Sequence, residues 1–220
     1  MAEARQVKYP RTVLPPPPPQ AKAIEIDDGF EDTPVGATPK RAQVSGEERG
    51  ASIRITDAQA ASGKHSLKVT DARELTPSWQ PHFFYEPHIR DGVVRQSFDV
   101  RMESNALMFT EWRDSGPYPQ NVGPSITFDG QGRIFAGGKL LTTVPMNGLV
   151  HIEIQAAVGK NAAKKFTLTV VPPGGAAQAF ADLPFAGKSF QELQWLGFSS
   201  TAAADTAFYL DNLKIKRLPK

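Results

Sequence analysis

The 220-residue chain contains no cysteine. That excludes a disulfide framework and thiolate metal sites, but it leaves the compartment open, since many secreted domains lack cysteine. It also has no apolar run near the roughly 20 residues that a membrane-spanning helix needs. The first twenty residues lack the 7–15-residue apolar stretch of a secretory signal. Twenty-five Lys and Arg stand against 23 Asp and Glu, and the basic residues are scattered. No basic stripe marks a nucleic-acid footprint. The four histidines are dispersed without zinc spacing. Gly-x-Ser-x-Gly, P-loop, dinucleotide and His-Glu-x-x-His motifs are all missing. Convincing amphipathic helices are missing too, although Lys188–Leu193 has room for a single turn.

What remains is β periodicity. Ser52–Thr56, Ser66–Val69 and Val93–Met102 alternate polar and apolar residues at period two. Further strands are expected at Ala106–Trp112, Ser125–Asp129, Arg133–Ala136, Val150–Ala156, Phe166–Val171, Leu193–Ser199 and Ala207–Lys216. Turn chemistry separates them: Asp129-Gly130-Gln131-Gly132, Ala136-Gly137-Gly138, Met146-Asn147-Gly148 and Pro172-Pro173-Gly174-Gly175. The expected fold is all-β, a two-sheet antiparallel sandwich (jelly roll) over residues 24–218. Residues 1–23 are expected to be a disordered proline-rich tail or linker. The run Pro15–Pro19 favours polyproline II, which spaces domains or docks to a proline-recognition module.

Two acidic segments bracket the domain. Asp27-Asp28-Gly29-Phe30-Glu31-Asp32 opens it, and Phe208-Tyr209-Leu210-Asp211-Asn212-Leu213-Lys214-Ile215 closes it. First and last strands often pair in a sandwich, which brings these clusters together. Asp28, Glu31 and Asp211 would then repel unless neutralised. A structural calcium with 6–8 oxygen ligands fits such a site, helped by carbonyls of Ser62–His65. Lys64 or Lys214 is the alternative neutraliser.

The order of these pieces resembles the concanavalin A-like lectin/glucanase jelly rolls, including laminin G-like and accessory domains of secreted bacterial proteins. The resemblance rests on Asp27–Gly36, Ala61–Val69, Val94–Arg101, Ile126–Ile134 with Leu149–Ile154, and Phe208–Ile215. It spans residues 25–217. Galactose-binding-like carbohydrate modules share the opening and closing segments, and are also two-sheet sandwiches. The resemblance implies a carbohydrate-binding, lectin-like accessory module with a polysaccharide or glycan partner, located outside the cytoplasm. A neighbouring domain of a larger protein is the other expected partner, and neither nucleic acid nor a membrane span is expected.

Catalysis has less support. Laminarinase-type relatives set two glutamates and an aspartate on one strand as E-x-D-x-E or E-x-D-x-x-E, with nucleophile and acid about 5–5.5 Å apart. Here Glu25-Ile26-Asp27 begins that pattern, but Glu31 falls six positions from Glu25. Alginate-lyase relatives use Arg, His and Tyr, which are present near 82–101 without the lyase motifs. No residue is expected to be catalytic.

Sugar recognition needs aromatic faces and placed polar groups. Trp79, Tyr85 and Trp112 are the candidate stacking residues. His82, Arg95, Arg101, Glu111 and Arg113 are the candidate hydrogen-bonding partners on polar strand faces. Trp195, between Gln194 and Leu196, is expected in the core.

Overall fold

The computed structural model describes residues 21–146 and 148–219. Pro15–Pro19 and the tail readings attached to it fall outside the described residues, as does Asn147 of the expected turn.

Fifteen strands run through the described chain. They begin β1 Ile26–Asp28, β2 Gln43–Ser45, β3 Ser52–Thr56, β4 Ser66–Asp71 and β5 His82–Tyr85. The middle set is β6 Gly92–Met102, β7 Leu107–Arg113, β8 Val122–Asp129, β9 Arg133–Ala136 and β10 Lys139–Thr143. The last are β11 Val150–Val158, β12 Lys165–Val171, β13 Gln178–Pro184, β14 Trp195–Ser200 and β15 Thr206–Leu218. One sheet has the order β13-β12-β11-β6-β15-β4-β3, with β1 also on β15; the other has the order β10-β9-β8-β7-β14-β5-β2. All pairings are antiparallel, and the described residues form no helix. The turn considered at Lys188–Leu193 is instead an irregular segment that buries Phe190.

The period-two pattern decides which side chains meet. On β6, Val94, Phe98, Val100 and Met102 turn inward, while Arg95, Ser97, Asp99 and Arg101 turn out. On β11, Ile152 and Ile154 turn inward in the same way. Between the sheets, Phe98 packs edge-to-face on Phe198 at 5.0 Å, and Phe83 stacks on Phe198 at 5.0 Å. Each fully buried aromatic or aliphatic side chain of this kind contributes about 1.5–3 kcal/mol. Gln96 is a polar residue of β6 that also turns inward. Its amide donates to Thr110 at 3.2 Å, and its oxygen accepts the Trp112 indole N–H at 2.5 Å.

The first and last strands are neighbours, as expected. Ile26 lies opposite Ile215 and Asp28 opposite Leu213. β1 continues the row that β4 begins along β15, where Phe208 pairs with Val69.

Candidate functional site

The second sheet carries the site on the face turned away from the core. Register fixes its rows. His82 on β5 lies opposite Ser199 on β14, which lies opposite Phe109 on β7. One row along, Phe84, Gly197 and Glu111 align, and beyond them Trp195 faces Arg113. The intervening row, Tyr85, Leu196 and Trp112, points into the core.

Within this face lies a groove of about 430 Å³ lined by Trp79, His82, Phe109, Arg113, Tyr118, Trp195 and Ser199. Trp195 lies along its own strand over Gly197. A β-carbon on Gly197 would sit 2.0 Å from the Trp195 ring, so only glycine leaves room for the indole. The Arg113 guanidinium covers Trp195 at 4.2 Å and reaches the Tyr118 ring at 4.9 Å. Phe84 tilts against Trp195 at 5.5 Å and stacks on His82 at 5.9 Å. Trp79 meets His82 edge-on at 5.1 Å. Trp79 and Tyr118 remain 46% and 63% exposed, so their faces are open to a ligand.

The polar groups are placed by specific bonds. Glu111 Oε2 accepts the Arg113 Nε–H at 2.8 Å and forms an ion pair with Nη2 at 2.7 Å. A β-bulge between Glu111 and Arg113 opposite β8 interrupts the ladder at this point. His82 Nδ1 lies 3.2 Å from Gln80 Oε1. With that oxygen as acceptor, Nδ1 carries the proton and Nε2 is left to accept. Burial, and then the Arg113 charge, hold the imidazole below its ordinary pKa and favour the neutral ring. Asp114 braces the loop that presents Tyr118. Its carboxylate accepts the Gly116 and Gln191 amides at 2.7 and 2.8 Å.

Two further depressions border this sheet, one of them shared with β1 of the other sheet. One of about 510 Å³ lies beyond Phe84 and includes Glu25, Arg41, Gln43, Glu86 and His88. The other, of about 380 Å³, is lined by Ser125, Thr127, Phe135, Ala136, Gly137, Gly138 and Ala186.

Of the expected binding residues, Trp79, His82 and Arg113 line the groove, and Glu111 stands behind Arg113. The others need correction. Trp112 is 0% exposed and Tyr85 1%, because alternation turns both toward the core. Arg95 and Arg101 lie on the opposite sheet. There Arg95 pairs with Glu153 at 3.3 Å and Arg101 lies over Tyr209 at 5.9 Å. The polar face of β6 and the Trp79 segment are therefore two different surfaces. Trp195, expected in the core, is part of the groove floor. Tyr118, Phe109 and Ser199 were not legible as site residues. The glycine at 197 was the available signal, since it spares space beside a tryptophan two residues away.

The acidic brackets are held by amides. Glu31 accepts the Lys64 and His65 N–H groups at 2.9 and 2.8 Å, which lowers its pKa. Asp211 accepts Ala61, Ser62 and Asn212 at 2.8, 3.0 and 2.6 Å. Asp28 accepts Phe30 at 3.0 Å and the Tyr85 hydroxyl at 3.4 Å. Burial raises the pKa of both Asp28 and Asp211. The 61–65 segment thus offers these carboxylates its N–H groups rather than carbonyls. Among the described residues, no three His, Cys, Asp or Glu side chains gather as a metal-ligand set.

No protein-family model matches the sequence, and a comparison with curated proteins finds no match. Solved structures do share the fold. Alginate lyase Aly36B superposes with a TM-score of 0.56 at 14% identity, covering 91% of this chain and 100% of that one. An endo-β-1,4-glucuronan lyase from the fungus Trichoderma reesei gives 0.56 at 8% identity, covering 90% and 96%. A PL-14 alginate lyase from Aplysia kurodai gives 0.52 at 15% identity, covering 81% and 91%. At these identities the likeness is one of fold. The chain is a two-sheet jelly-roll-like sandwich of the kind these carbohydrate-active proteins use.

Proposed function

We propose that the protein binds a polysaccharide chain in the groove of the second sheet without cleaving it, as an accessory module acting outside the cytoplasm. The observation that carries this is the open aromatic groove itself. Trp79 and Tyr118 expose ring faces, while His82 and Arg113 offer an imidazole acceptor and a guanidinium between them. Apolar faces with a few fixed polar groups match a sugar's alternating faces and hydroxyls. The named activities of the fold neighbours, on alginate and glucuronan, support a glycan ligand. A purely structural module packing on its parent domain is less well supported, because such a role does not call for Trp79 to stay 46% exposed in a groove.

One observation favours a second reading, a lyase acting on uronates. His82, Tyr118 and Arg113 line one groove. A neutral imidazole or phenolate can take a proton, and a guanidinium can hold a substrate carboxylate. A glycan array followed by ultraviolet assay separates the two. Binding is expected with no rise in unsaturated-product absorbance on alginate or glucuronan. A rise that His82→Ala abolishes would establish the lyase instead, and silence across all glycans would remove both readings.

A further inference from the structure

We propose that the glycan held in this groove is electrically neutral, a hexose or pentose polymer rather than a polyuronate or sulfated chain. The inference rests on the carbohydrate reading above and narrows its ligand class. It follows from where the charges of this face are already committed.

Among the described residues Arg113 is the one ionised cation lining the central groove, and Glu111 Oε2 holds it through Nε and Nη2. The Glu111 side chain is 10% exposed and that of Arg113 is 29%. The pair is thus shielded from water, and its charges cancel locally. The guanidinium face is also occupied, lying over Trp195 and beside Tyr118. His82 supplies no second cation, because burial and Arg113 keep it neutral. In the depression beyond Phe84, Arg41 is outnumbered by Glu25 and Glu86, and its guanidinium already donates to the Asp27 carbonyl at 3.0 Å. Among the described residues, none that lines the depression over β8 and β9 is ionisable.

A polyuronate brings one negative charge per sugar. In the groove and the two depressions each carboxylate would meet a committed arginine, a glutamate or an uncharged wall. Like charges in such a position cost affinity and exclude partners. Hydroxyls meet no such penalty. They can donate to His82 Nε2 and accept from the Arg113 N–H groups that Glu111 leaves unused.

The same pairing bears on the lyase reading. Elimination beside a uronate builds charge on its carboxylate, and Arg113 already shares its own charge with Glu111.

The test is isothermal titration of the full chain with matched oligosaccharides. One set is neutral (glucan, xylan and mannan); the other is alginate and polyglucuronate. Uronates are expected to bind about tenfold or more weaker than the best neutral ligand. Neutral binding is expected to be insensitive to salt. Glu111→Gln, nearly isosteric, frees the Arg113 charge and is expected to narrow the gap by strengthening uronate binding. Should that variant misfold, the salt dependence of the unmodified protein still decides. Uronates binding more tightly, with affinity that falls as salt rises, would overturn this inference while leaving the carbohydrate reading intact. No binding to either set would take down both.

Discussion

Gly197→Ala is the sharpest perturbation of the groove. The added methyl would sit 2.0 Å from Cη2, 2.3 Å from Cζ2 and 2.7 Å from Cζ3 of Trp195. The backbone cannot retreat, because Gly197 pairs with Glu111 on one side and Phe84 on the other. The indole must swing away. It then loses its stack with Arg113 at 4.2 Å, worth about 0.5–1 kcal/mol at a partly exposed site, and with Phe84 at 5.5 Å, worth about 0.5–1.5 kcal/mol. Alanine returns about 0.4–1 kcal/mol by restricting the unfolded chain. The expected net loss of stability is therefore small, about 1 kcal/mol in urea titration. The binding loss is expected to be larger in proportion, about tenfold or more, because the displaced ring removes the groove floor. Tryptophan emission should shift to the red, as Trp195 leaves its packed position while Trp112 stays buried. A double-mutant cycle completes the argument: in a Trp195→Ala background, Gly197→Ala should cost almost nothing. An unchanged affinity and emission in the single variant would refute the reasoning.

The buried trio of Gln96, Trp112 and Thr110 makes a separate prediction about stability. Trp112→Phe strands the Gln96 oxygen and opens a void, an expected loss of about 2–4 kcal/mol by urea titration, and adding Gln96→Leu should restore part of it. For pH, His82 is depressed below its reference value of 6.5, first by burial and then by Arg113. The folded state therefore binds the proton less readily than the unfolded chain. Its stabilising contribution is complete above about 6.5 and is lost as pH falls toward the lower folded value. Glycan affinity should weaken over the same window, and His82→Gln should flatten both curves. For the acidic brackets, amides already occupy Glu31 and Asp211, so excess chelator should leave the melting temperature unchanged. A rise in melting temperature on adding calcium would instead support a structural cation, since a ligand bound only by the folded state raises stability.

The sandwich was legible because alternation is written into its central strands. Ser52–Thr56 and Val93–Met102 show their period without reference to anything else. β13 shows none. Its residues are mostly exposed on an edge, so burial does not constrain their order. β2 and β10 are likewise short or exposed edge strands. β5 was hidden for a different reason. His82-Phe83-Phe84-Tyr85 is aromatic on both faces, so polarity does not tell the inward rings from the outward ones.

The same ambiguity governs the site. Trp112 and Trp195 each sit in a β-strand beside a charged or polar residue, yet one is core and the other groove. Local pattern does not separate them. Cross-strand register does, because Trp112 aligns with Leu196 and Tyr85, while Trp195 aligns with Arg113. A strand's alternation gives relative facing, and only its partners give the absolute direction. Arg95 and Arg101 fail by the next level of the same argument. Their outward facing was read correctly from β6, but outward from one sheet of a sandwich is the opposite side of the molecule from outward on the other. What joins the residues of the groove is therefore sheet membership. Trp79, His82, Arg113 and Trp195 meet because β14 lies between β5 and β7, although more than eighty residues separate Arg113 from Trp195 in the chain.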